Sequence, residues 1–140
     1  MSDEPKSPTD SNGPLTSDKP PKPEDKPFVN FINEDFLPLL QKSILKCGVS
    51  NLELSLINGQ RPVVGGECWM IFGSLEKSRK FWLCFSEDQI TSSKTITLAE
   101  SGEEPSVLES FLIDEKKITL QLLISRLLQR LNGQKWLASN

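Results

Sequence analysis

Cysteine, carboxylate and lysine are the reactive side chains this chain offers, since histidine and tyrosine are absent from its 140 residues. Cys47, Cys68 and Cys84 are too widely spaced for a Cys-x-x-Cys pair, and without imidazole a zinc site has no second soft ligand to draw on. Nucleophilic catalysis is equally short of parts: no Gly-x-Ser-x-Gly is present, and no ring nitrogen can take the proton of a serine or a thiol. A phosphate-gripping Gly-x-x-x-x-Gly-Lys-Ser/Thr loop is missing too. Val64-Gly65-Gly66-Glu67 lacks the strand-to-helix setting that would aim backbone N–H groups at an anion. Adjacent carboxylates occur at Glu87-Asp88, Glu103-Glu104 and Asp114-Glu115, but neighbouring side chains on extended chain diverge, and polar turn-like sequence keeps them solvated. No catalytic residue, cofactor or metal is expected. An enzyme built on carboxylate and lysine alone would need a deep pocket lined by Glu67, Glu87 or Lys80 with strongly perturbed acidity.

Binding chemistry remains. Lys77, Arg79 and Lys80 concentrate positive charge on one expected hairpin turn, suited to an acidic partner surface. Lys135 and Trp136 follow a helix stop, where a tryptophan either folds back on the core or anchors a partner. These five are the candidate partner-binding residues. Cys68 and Cys84 lie in apolar, strand-like runs and read as reduced core thiols, as in a reducing compartment.

The elements that must carry these residues follow from hydrophobic period. Apolar residues recur every three to four positions over residues 28–46, which predicts a helix. A break is expected near residues 33–38, where Asn33 caps a new start and Pro38 suits a first turn, and Cys47-Gly48 closes the helix. Residues 52–59 alternate and end in Asn58-Gly59, reading as a strand that runs into a turn. Val63-Val64 and residues 68–72 predict a second strand interrupted at Gly65-Gly66. A polar turn over residues 73–80 leads to a third strand at residues 80–85, and residues 94–98 read as a fourth, edge-like one. Trp69 and Ile71 then face one way and Cys68, Met70 and Phe72 the other, so both surfaces of the sheet need cover. Ser106 suits the cap of a short helix through Phe111, or Phe111-Leu112-Ile113 forms a strand. Leu120, Leu123, Leu127, Leu128 and Leu131 make one stripe of a helix that starts near Ile118 or Thr119 and stops at Asn132-Gly133. This order predicts an α+β domain, an antiparallel sheet of about four strands flanked by an N-terminal and a C-terminal helix.

Composition divides the chain. Seven of its ten prolines fall in residues 1–27, where Leu15 is the one sizeable aliphatic side chain, so that stretch reads as a disordered, Pro-rich arm and residues 28–140 as a single domain. A net charge of −3 argues against a basic groove tracking phosphates. No apolar run approaches the roughly 20 residues that span a bilayer.

Five segments carry a family likeness: Asp35-Phe36-Leu37-Pro38, Leu52-Glu53-Leu54-Ser55, Cys68-Trp69, residues 105–114 and residues 129–137. Together they resemble the subunit V family of the cyanobacterial and chloroplast NAD(P)H dehydrogenase-like complex, over roughly residues 28–140. That complex accepts electrons from reduced ferredoxin and reduces plastoquinone. The resemblance implies a small accessory protein without a redox centre, seated on the hydrophilic arm near the ferredoxin-docking region. Its expected role is to stabilise that arm and support cyclic electron flow around photosystem I; the alternative is a transient assembly factor. Its partners would be hydrophilic-arm subunits, and its place the cytoplasmic side of the thylakoid membrane, since the acidic, proline-rich start lacks the character of a plastid transit peptide.

Overall fold

Short alternating segments punctuated by polar turns lay down five antiparallel strands in simple up-and-down order. They are β1 (Glu53–Gln60), β2 (Glu67–Leu75), β3 (Arg79–Phe85), β4 (Lys94–Ala99) and β5 (Glu109–Ser110), with β1 and β5 at the edges. The computed structural model describes residues 22–105 and 107–137. Helices α1 (Phe28–Phe31) and α2 (Leu37–Lys46) precede the sheet and α3 (Leu120–Gly133) follows it, giving the α+β architecture. The sheet exceeds the expected four strands because Glu109–Ser110 pairs with Thr95 and Ile96. Neither a helix nor a strand at residues 111–113 forms there, and Ser106 lies outside the described residues.

The N-terminal helix does not break. Residues Ile32–Phe36 form one turn of π-helix joining α1 to α2, in which the Leu37 N–H reaches back five residues to the Ile32 carbonyl. Pro38 has no N–H to give a regular α-ladder, and the wider π turn absorbs it while Phe31, Ile32 and Phe36 all stay buried. Ahead of it, residues 22–27, counted with the arm on composition, take part in the fold. The Glu24 carboxylate accepts the Leu120 N–H at 2.7 Å, beside Thr119, whose hydroxyl accepts the Leu122 N–H. Two acceptors thus cap the start of α3.

Strand boundaries also differ from expectation. Asn58 and Gly59 continue β1, opposite Trp69 and Cys68. The reversal comes at residues 61–66, where Gly65 and Gly66 take φ of 76° and 95°, so Val63 and Val64 are exposed turn residues and not strand. Gly73 sits within β2 because the Phe81 ring lies against its backbone; a Cβ there would be 2.1 Å from the ring.

All three helices cover one face of the sheet. Phe31, Phe36, Leu40 and Ile44 meet Leu123, Leu127 and Leu131 over Ile71, Phe81, Leu83, Phe85 and Ile96. The opposite face holds a smaller cluster drawn from strands alone: Cys68, Met70 and Cys84, with Trp82 packed against them. No helix among the described residues is long and apolar enough to cross a membrane.

Candidate partner-binding surface

The five residues singled out by type fall into two groups. Arg79 opens β3 and Trp136 follows α3, and the fold brings them together: the guanidinium lies 5.9 Å from the indole centroid. Between them stands Glu100, at the end of β4. It accepts the Trp136 Nε1–H at 2.7 Å, the Arg79 Nε–H at 3.3 Å and the Gln134 side-chain N–H at 3.3 Å. Gln134 in turn accepts from Arg130, whose guanidinium grips Glu109 of β5 through two hydrogen bonds of 2.8 and 2.7 Å. Hydrogen bonding from Trp136 holds the Glu100 carboxyl below the usual carboxylate range, and Arg130 does the same for Glu109. This chain of charge-assisted bonds ties the end of α3 to two strands.

Trp136 is therefore only 4% exposed and offers no surface to a partner. Its position is set by the helix stop, which falls at Gly133 as expected, and by the chain reversal two residues beyond it. Lys135 takes φ of 61°, the Lys135 N–H bonds the Asn132 carbonyl, and the Trp136 N–H bonds Leu131. This reversal turns the indole back under α3.

Lys77, Lys80 and Lys135 are exposed. Lys77 and Ser78 form the tight β2–β3 reversal with φ of 65° and 59°, and the preceding Glu76 is held by the Ser50 N–H and hydroxyl, which keep its carboxyl below the usual range. Lys80 pairs with Ser74 and shares the helix-free face of the sheet with Phe72, Trp82, Met70 and Cys84. Phe72 and Trp82 lie 5.5 Å apart and are both half-buried, so they shade the small residues behind them while keeping apolar surface in solvent. Cys84 is fully buried there, and burial pushes its thiol up to about 12. Thr97 on the same face is fully buried, with its hydroxyl unpaired among the described residues.

Little chemistry gathers elsewhere. Glu67, Glu87 and Lys80 are all exposed, and of the paired carboxylates Glu115 forms an exposed ion pair with Arg126 at 3.2 Å. Lys94 is buried, its ammonium donating to the Ile90 and Ser92 carbonyls at 2.7 Å, and burial lowers its pKa. An apolar cleft of about 710 Å³ runs between α2 and α3, lined by Leu39, Cys47, Ile124, Leu128 and Leu137 among others.

The sequence had pointed to Lys80 and not to Trp82, which lay unmarked in the third strand; the helix-free face joins them. Glu100 and Arg130 were missed, because an acid in a turn-rich stretch and a base on a helix look solvated until the chain folds.

Fold and surface together define a small α+β domain whose sheet is clothed on one side. The chain belongs to the family described as protein of unknown function DUF2996, whose model matches residues 22–138. No curated protein matches the chain.

Proposed function

We propose that this protein is a non-catalytic accessory subunit of the photosynthetic NAD(P)H dehydrogenase-like complex. It seats on the hydrophilic arm near the ferredoxin-docking region, on the cytoplasmic side of the thylakoid, and supports cyclic electron flow around photosystem I. The observation that carries a docking role is the helix-free sheet face, which half-buried Phe72 and Trp82 share with exposed Lys80, with Lys77 on the adjoining turn. Aromatic surface rimmed by a few cations suits a protein interface, the aromatics holding the complex and the charges steering its formation. The choice of complex rests on the likeness of the segments named above to subunit V.

Affinity purification of a tagged full-length chain from mildly solubilised thylakoids tests both parts. Dehydrogenase subunits should be recovered, and the chain should comigrate with the mature complex on native gels. Trp82→Ala, or Lys77→Glu with Lys80→Glu, should reduce recovery several-fold, while Lys135→Glu, remote from that face in the chain, serves as the comparison. Recovery without any dehydrogenase subunit refutes the choice of complex; migration solely with smaller assemblies indicates a transient assembly factor.

A further inference from the structure

β1 is an open edge of eight residues, and among the described residues nothing pairs with its outer side. Apart from the terminal Glu53 it carries few of the features that usually protect an edge: no proline, no lysine and no bulge, since its register with β2 runs unbroken from Glu53 to Gln60. β5, the other edge, has two residues.

The direction of each backbone group along β1 follows from one hydrogen bond. The Arg61 N–H bonds the Gly66 carbonyl at 2.9 Å across the β1–β2 reversal. In an antiparallel ladder both backbone groups of a residue point the same way and successive residues alternate. Residues 53, 55, 57 and 59 therefore spend their groups on β2, while Leu54, Leu56, Asn58 and Gln60 direct theirs outward.

From this we infer that the β1 edge takes a second copy of this chain, antiparallel, in a register centred on Ile57. In that register Leu56 meets Asn58 and Leu54 meets Gln60 of the second copy, so every outward-directed residue finds a hydrogen-bonding counterpart. Two-fold symmetry repeats each pair. Ile57, an exposed apolar residue of this edge, meets its own equivalent. Glu53 falls opposite Arg61 of the second copy, twice over. Neither forms an ion pair among the described residues, and the Arg61 Nε is buried without a hydrogen-bond acceptor. Registers shifted by two residues in either direction lose this match. The two-fold axis stands perpendicular to the sheet, so the two helix-free faces become one continuous surface and the helices share the other side. This pairing is independent of which complex the protein joins.

Sedimentation of the full-length chain over a dilution series reads the pairing as a mass that approaches twice the monomer's at high concentration. Asn58→Pro should abolish the increase while leaving the circular dichroism spectrum and urea midpoint near wild type, because the Asn58 N–H is not part of the β1–β2 ladder. Register is read by disulfide capture. Ile57→Cys places two thiols at a non-hydrogen-bonded pair, where Cα atoms about 4.5 Å apart permit a bridge, and should cross-link on mild oxidation. Asn58→Cys, offset from its own equivalent, should remain at the background set by the native cysteines. A wild-type chain that stays monomeric throughout overturns the inference, including one that instead takes up an added extended peptide along β1. So does a folded Asn58→Pro chain that still doubles its mass. Should Asn58→Pro fail to fold, the cysteine pair decides: cross-linking in both variants, or in neither, overturns the register.

Discussion

The two faces of one sheet are built to different plans. On the helix-covered face, large side chains from the helices and the central strands interlock, and the Arg79–Glu100–Trp136 and Arg130–Glu109 bonds fasten its margin. On the other, two thiols and a thioether form a cluster against which Trp82 packs, itself paired with Phe72, and no helix residue joins them. The first arrangement spends its large groups on stability; the second keeps part of its aromatic area available to solvent. Position on the sheet, and not residue type alone, decides whether an aromatic serves the core or a partner.

The largest effect that separates the faces is aromatic truncation. Phe81→Ala empties a fully buried site under the helices and should cost about 4 kcal/mol, whereas Phe72→Ala removes a half-buried ring and should cost about 1 kcal/mol. Urea unfolding of the two variants measures this, and equal losses would erase the distinction between the two faces.

Glycine substitution probes the same contrast on a smaller scale. Gly73→Ala drives a Cβ into the buried Phe81 ring and should cost about 3 kcal/mol, since neither the ring nor the strand has room to yield. Gly59, on the open edge, would place its Cβ 3.6 Å from the Met70 methyl, an ordinary contact, so Gly59→Ala should change stability by no more than about 0.5 kcal/mol. A large loss at Gly59 would mean that the open face is packed as tightly as the covered one.

The faces should also set opposite limbs of the pH–stability curve. Glu100 and Glu109 titrate lower in the folded chain than when unfolded, so their contribution is complete above the unfolded carboxylate value near ~4.3 and is lost as pH falls through their folded pKa. Cys84 is raised from 9.0 to about 12, so its contribution is complete below 9.0 and is lost as pH climbs toward about 12. Denaturant titrations across pH should show Glu100→Gln flattening the acid limb and Cys84→Ala the alkaline limb. A Cys84→Ala chain with an unchanged alkaline slope would show that the thiol is solvated when folded.

Local pattern made some of this legible and left the rest hidden. The leucine stripe of α3 and its start near Ile118 or Thr119 are read directly, because both depend on residues within a few turns of one another. Pro38 and Asn58-Gly59 mislead for a common reason: each obeys a strong local rule that long-range packing overrides, through a π turn in one case and unbroken pairing with β2 in the other. Trp136 could not be assigned from its surroundings, since the carboxylate that holds its indole lies 36 residues away in the chain. Lys80 and Trp82 alternate with Phe81 and Leu83 in a run that is bulky throughout. Only the placement of the helices tells which pair of residues faces solvent.

Thr97 gives the finest test of the comparison. It sits on β4, fully buried on the helix-free face, where it faces Trp82, and its hydroxyl finds no partner among the described residues. On the covered face a polar group in that state would be exceptional, because the margin there is closed by paired charges. Behind Phe72 and Trp82, an unpaired hydroxyl is a cost that a methyl of the same shape relieves. Thr97→Val should therefore raise stability by about 1 kcal/mol, read as a higher urea midpoint with an unchanged slope, and should leave recovery of the complex intact because the side chain is buried. A loss of stability would mean that the hydroxyl has an acceptor when the chain is folded, and the open face would then be as fully satisfied as the one the helices cover.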